Sequence, residues 1–107
     1  MKSVDLKTFR KIIREGRISW RKHALKRLAE RGIAQKDVLA VLLSGKRIED
    51  YPDDEPYPSA LFLEFVSSKP LHVLAAFDEI NLVPYIITAY EPSLDVFEKD
   101  YMTRRTE

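Results

Sequence analysis

The sequence has no cysteine, which excludes a disulfide framework, thiolate catalysis and any cysteine-liganded zinc or iron–sulfur site. Glycine occurs only at positions 16, 32 and 45, so there is no Gly-rich phosphate loop and no dinucleotide fingerprint. The two histidines, His23 and His72, show no His-x-His or HExxH spacing, so neither a metal nor another cofactor is expected. No serine lies in a nucleophile-elbow context. No apolar run approaches the roughly 18 residues of a membrane span. The opening MKSVDLKTFRKII lacks the apolar core and cleavage site of a secretory signal. The expectation is a cytoplasmic protein with no membrane contact.

What is present is the balance of a folded chain, 45% hydrophobic and 33% charged over 107 residues. That suffices for one core, and residues 1–107 read as one domain. The net charge of +1 hides a strong polarity. Residues 1–47 carry 14 of the 18 Lys and Arg against four acids, a balance of +10. Residues 48–107 carry the other four bases against 13 acids, a balance of −9. Such asymmetry points to an anionic partner for the basic half, or to two halves that neutralise each other by packing.

The basic half reads as helical. Leu6, Phe9, Ile12 and Ile13 recur at helical spacing, with Asp5 as the cap and Gly16 as the stop. Ser19 is expected to cap a second helix with the stripe Trp20, Ala24, Leu25 and Leu28, closed by Gly32. A third helix runs from Gln35 to Leu43 and ends at Gly45. Strands are expected at Arg47–Tyr51, Ala60–Val66, Leu71–Phe77 and Leu82–Tyr90. The acidic loop Pro52–Ser59 and the hairpin Ser67–Pro70 connect the first three, and Pro84 calls for an edge or a bulge. Both LHVLAAF and YIITAY read as central strands covered on both faces. Residues 93–101 fit a short helix and 102–107 a frayed basic tail. The fold class is α+β, with amino-terminal helices packed on a three- to four-stranded antiparallel meander.

His23, Arg27 and Arg31 stand at i, i+4 and i+8, within roughly 80° of one another around a helix. Two guanidinium forks and an imidazole in that array could hold a phosphate, or the arginine stems could simply cover the core. His72 shares a strand face with Leu74 and Ala76, as a positioned acid or base or as a hydrogen-bonded core residue. Thr88 and Tyr90 alternate onto one face of the last strand with Ile86, where Tyr90 could stack a base or pack in the core. Asp53, Asp54 and Glu55 form an acidic binding loop or a solvated turn. Arg104 and Arg105 read as a basic pair in the tail.

Several of these motifs, in order, resemble a bacterial family, domain of unknown function 4258. The resemblance rests on HALKRLAERGI (His23–Ile33), KDVLAVLLSG (Lys36–Gly45), IEDYP (Ile48–Pro52), KPLHV (Lys69–Val73) and ITAYEP (Ile87–Pro92). It covers about residues 18–105. In its helix-then-meander layout the family looks similar to RelE/ParE-type toxins and other small metal-independent ribonucleases. The resemblance therefore implies a toxin-like domain that binds or cleaves RNA, and it carries over His23, Arg27, Arg31, His72, Thr88 and Tyr90 as shared positions.

Three readings follow. In the first, His72 or His23 moves protons, Arg27 and Arg31 hold the phosphate of RNA, and Tyr90 stacks a base. In the second, the basic helical face docks an acidic protein, such as an antitoxin, or a nucleic acid backbone, without catalysis. In the third, Arg27 and Arg31 form an internal salt-bridge network with Glu49, Asp50 or Glu64.

Overall fold

A computed structural model describes residues 3–106; Met1, Lys2 and Glu107, which belong to the opening stretch and tail discussed above, lie outside the described residues. The elements are α1 (Leu6–Arg14), β1 (Ser19–Trp20), α2 (Lys22–Arg31), α3 (Gln35–Ser44), β2 (Lys46–Tyr51), β3 (Ser59–Val66), β4 (Lys69–Asp78) and β5 (Val83–Tyr90). The strands form one sheet in the order β1-β5-β4-β3-β2. All pairs are antiparallel except β1 with β5, which is parallel.

The α+β class therefore holds, but the sheet is five-stranded and mixed. The extra strand comes from Ser19 and Trp20, expected in a helix. Ser19 pairs with Tyr85 and Trp20 with Ile86, so Ser19 caps nothing. Helix α2 starts after an extended Arg21 with no side-chain cap. Strand pairing prevails here because a bare β5 edge would leave backbone groups unpaired, while Trp20 still reaches the core from β1. Leu25, expected in the apolar stripe, is an exposed residue; Ala24 and Leu28 make the buried face of α2.

The three helices cover one face of the sheet, where Ala60, Phe62, Val73, Ala75, Phe77, Ile86 and Ala89 are buried. Helix α3 packs on β3 and β4, α2 on β5, and α1 on α3 and β5. Asp5 caps α1 through the Thr8 amide at 3.4 Å. Phe9 of α1 stacks on Phe62 and meets Phe77 edge-on, with centroids 5.7 and 5.5 Å apart. Helix α2 closes on Gly32 at φ 65°, a left-handed conformation that favours glycine. Strands β3 and β4 meet at a two-residue turn in which Ser67 and Ser68 both take positive φ, as a type I′ hairpin requires.

Two bulges decide which side chains face which way. In β2 the register jumps between Arg47 and Glu49, leaving Ile48 unpaired. In β5 it jumps so that Thr88 pairs with Leu74 and Ile86 with Ala75, leaving Ile87 as the extra residue. The bulge separates Ile86, in the helix-covered core, from Thr88 and Tyr90 on the other face, so the single face expected for all three does not form. The bulge expected near Pro84 thus lies three residues further along, and β5 is interior, between β1 and β4.

Residues 93–101 do not form a helix. They run as turns, and an isolated bridge between Phe97 and Arg104 folds the tail back over the sheet face that the helices leave free. The segment is pinned by Phe97, 2% exposed, so hydrocarbon burial overrides the local capping signal. No helix among the described residues is long and apolar enough to cross a membrane.

Candidate functional site

The second face of the sheet carries the alternate residues of each strand. From the register these are Glu49 and Tyr51 on β2, Leu61 and Leu63 on β3, His72, Leu74 and Ala76 on β4, and Tyr85, Thr88 and Tyr90 on β5. The carboxy-terminal segment covers one part of this face. Phe97 meets the His72 ring edge-on at 4.6 Å, and Tyr101 meets Phe65 at 6.0 Å. The part left uncovered is a trough of two adjoining cavities.

His72 is fully buried beneath this segment. Its Nε2 lies 2.6 Å from the Tyr101 carbonyl and its Nδ1 3.3 Å from the Tyr90 hydroxyl. A carbonyl only accepts, so Nε2 carries the proton and Nδ1 of the neutral ring accepts from Tyr90. Burial pushes the imidazole below its usual range, against the opposing pull of the Tyr101 carbonyl and the Glu49 charge. The sign of the linkage follows. A histidine held below its unfolded value stabilises the fold above that value, and the contribution is lost as pH falls through 6.5 and below. Thermal unfolding between pH 7.5 and 5.5 is expected to show a falling midpoint, and a smaller fall in His72→Gln. An equal fall in both proteins would assign the effect to other groups.

Beside His72 lies an Arg–carboxylate–phenol cluster. Arg104 donates Nε and Nη2 to the two oxygens of Glu49 at 2.8 and 3.1 Å, and Tyr51 donates its hydroxyl to the same carboxylate. Burial raises the Glu49 carboxyl, but the hydrogen bonds from Arg104 and Tyr51 outweigh it and hold the group below the ordinary carboxylate range. Burial, and then Glu49 itself, push the Tyr51 phenol up, and burial does the same to Tyr90. The Arg104 guanidinium also lies over the Phe97 ring, 4.9 Å from its centroid. Tyr51, Asp54, Leu61, Leu74, Tyr90 and Arg104 line an open cavity of about 300 Å³. Tyr90 is thus the wall between this cavity and buried His72.

The structure brings only some of the sequence candidates together. His72 and Tyr90 meet directly. Arg31 meets Thr88, donating Nη1 to its Oγ1 at 3.1 Å and to the Ala89 carbonyl at 2.7 Å, on the stretch of β5 beyond its pairing with β1. His23 is exposed and borders a second cavity, and Arg27 is exposed on α2; neither contacts His72. The internal network expected of Arg27 and Arg31 with Glu49, Asp50 or Glu64 does not form. Among the described residues the two ion pairs are Arg104–Glu49 and Arg105–Glu98, and no base of residues 3–47 takes part in either. Arg10 and Arg47 instead bond the carbonyls of Leu42, Gly45 and Val4.

Glu49, Tyr51 and Arg104 are the residues that the sequence alone did not place together at a site, since Glu49 was expected only as a partner of Arg27 or Arg31 and Arg104 only as part of the basic tail. Glu49 and Tyr51 had a legible signal, the i, i+2 spacing that puts both on one strand face. Arg104 had none, because it arrives only through the return of a tail expected to fray. Among the described residues no group of three or more His, Cys, Asp or Glu is placed to hold a metal ion.

The family model described as "Domain of unknown function (DUF4258)" matches residues 20–91. The chain matches no curated protein and no solved structure at a significant level.

Proposed function

The chain belongs to the DUF4258 family, and from its geometry we propose that it is a toxin-like RNA-binding domain that cleaves single-stranded RNA without a metal. The observation that carries the reading is Tyr90, held between buried His72 and a cavity that Arg104 lines. The likeness in layout to RelE/ParE-type toxins points the same way, as an analogy of fold.

In the proposed reaction the ribose 2′-hydroxyl gives its proton to the Tyr90 oxygen as Tyr90 passes its own proton to Nδ1 of His72. The 2′-oxygen forms a bond to phosphorus and the P–O5′ bond breaks. The products are a 2′,3′-cyclic phosphate and a 5′-hydroxyl whose proton comes from water in the open cavity. Neutral His72 has an Nδ1 lone pair to receive that proton, and its depressed basicity drives the proton back to Tyr90 as Tyr90 gives its own to the hydroxide left in the cavity, which restores both residues and the water. Arg104 offsets the charge that builds on the phosphate, in a role that the sequence had suggested for Arg27 and Arg31. The unpaired bases of the helices, Arg27 among them, supply the electrostatic attraction for the RNA backbone.

The test is cleavage of end-labelled single-stranded RNA in excess chelator by wild type and Tyr90→Phe. Wild type is expected to leave cyclic-phosphate ends, and Tyr90→Phe to cleave about 100-fold more slowly. Activity abolished by the chelator, or unchanged in Tyr90→Phe, would overturn the mechanism. A second reading is favoured by the bases of residues 3–47, which enter neither of the ion pairs found among the described residues. In it the helical face docks an antitoxin-like acidic protein, and purified chain would bind polyanions in a salt-sensitive way without cutting RNA.

A further inference from the structure

The trough has a second cavity, of about 350 Å³, that the proposed chemistry does not use. Its walls include Arg21, His23, Asp54, Tyr57 and Tyr85. We propose that it holds a guanine base of the RNA next to the scissile phosphate, an inference that rests on the ribonuclease reading above.

Contiguity is the first argument. Asp54 lines both cavities. Leu74 borders the first and Ala76 the second, two residues apart on β4, or about 7 Å along the strand. Tyr90 and Tyr85 themselves stand opposite His72 and Ala76, about 13 Å apart along β4, so an extended strand with its sugar at Tyr90 reaches Tyr85 with the base of a neighbouring nucleotide.

The second argument is the aromatic wall. Tyr57 and Tyr85 lie parallel, within 2°, with centroids 5.4 Å apart, and the Arg21 guanidinium lies 4.4 Å from the Tyr85 centroid. Planar groups already arrayed in this way offer a stacking surface to any base, which provides affinity without identity. Arg21 on the same cavity supplies positive charge toward the adjoining phosphate.

Identity comes from a carboxylate, and of the two that line the cavity, Asp54 and Glu55, Asp54 is the one tied to the sheet by a hydrogen bond. Asp54 accepts the hydroxyl proton of buried Ser59 at 2.5 Å through Oδ2. That bond orients the side chain, and Oδ1 takes part in no other hydrogen bond among the described residues. A carboxylate only accepts. Guanine presents two adjacent N–H donors on its Watson–Crick edge, whereas uracil flanks its single N–H with two carbonyl oxygens that a carboxylate repels. This gives the acidic loop a binding role instead of a merely solvated one.

The experiment uses DNA oligomers holding one ribonucleotide, so that the cut is fixed at its 2′-hydroxyl, flanked on both sides by guanine or on both sides by uracil. Wild type is expected to cleave the guanine-flanked strand at least about fivefold faster, the low end of what one bidentate base contact discriminates. Asp54→Asn keeps an oxygen for Ser59 and turns an amide donor to the cavity, so the ratio should fall to one or below. Asp54→Ala, at the same exposed position, should bring it to one. Equal cleavage of both strands by wild type, or a ratio that survives both substitutions, overturns the guanine site and leaves the ribonuclease reading standing. Cleavage of neither strand overturns both.

Discussion

Alanine in place of Gly45 is expected to destabilise the protein by about 3 kcal/mol or more, lowering the thermal midpoint by about 10 °C or more. Gly45 ends α3 and leads directly into β2. Its φ of −77° is open to any residue, so the requirement for glycine is one of space. A Cβ there would lie 2.4 Å from the Val41 carbonyl oxygen and 2.7 Å from that of Leu63. Both atoms are backbone, one in the last turn of α3 and the other in the β3 strand that pairs with β2, so neither can yield by changing a rotamer. Gly45 also receives Arg10 on its own carbonyl at 2.5 Å, which fixes the chain from a third side. Differential scanning calorimetry of Gly45→Ala beside Gly16→Ala separates the causes. Gly16 takes φ 87° with nothing within 4 Å of an added Cβ, so its substitution reports backbone strain alone and should cost about 1 kcal/mol. Similar midpoints for the two variants would show that the close approach is relieved at little cost.

The second large effect is on activity. Under the proposed mechanism, Arg104→Ala is expected to slow chelator-resistant RNA cleavage about 1000-fold, since it removes the guanidinium that the proposal assigns to the phosphate. The fold should survive. Arg104 is 51% exposed and Glu49 beneath it 19%, so losing this half-exposed ion pair should cost on the order of 1 kcal/mol. Arg104→Lys should restore little, because an ammonium cannot present parallel N–H bonds to a carboxylate and a phosphate. Full activity in Arg104→Ala, with the thermal midpoint unchanged, would remove this residue from the proposed site. A collapse of the midpoint with the activity would mean that Arg104 acts by holding down the tail that buries His72.

Much of the architecture was legible. The periodicity of Phe9, Ile12 and Ile13 and the glycine stops at positions 16, 32 and 45 define α1 and the ends of the later helices. The doubly apolar LHVLAAF segment marks β4, the middle strand of the sheet. Three features escaped for a common reason: each depends on a partner far along the chain. Ser19 and Trp20 look like the start of a helix until β5 offers them an edge. Residues 93–101 look capped until Phe97 finds His72. Ile86 looks coplanar with Thr88 until a bulge rotates the strand between them.

The same division runs through the site. Sequence alone determined the types of group available: two imidazoles, a basic amino-terminal half, phenols on strands, and no thiol or glycine loop. Local periodicity also put His72 and Tyr90 on strands, since side-chain direction in a strand follows from counting by two. Which groups meet was decided by the tertiary structure. Register set His72 opposite Tyr90, and the returning tail brought Arg104 to Glu49 across 55 residues. A guanidinium's partner depends on where distant backbone passes, and that route is set by burying hydrocarbon such as Phe97, to which the charge pattern of the sequence is blind.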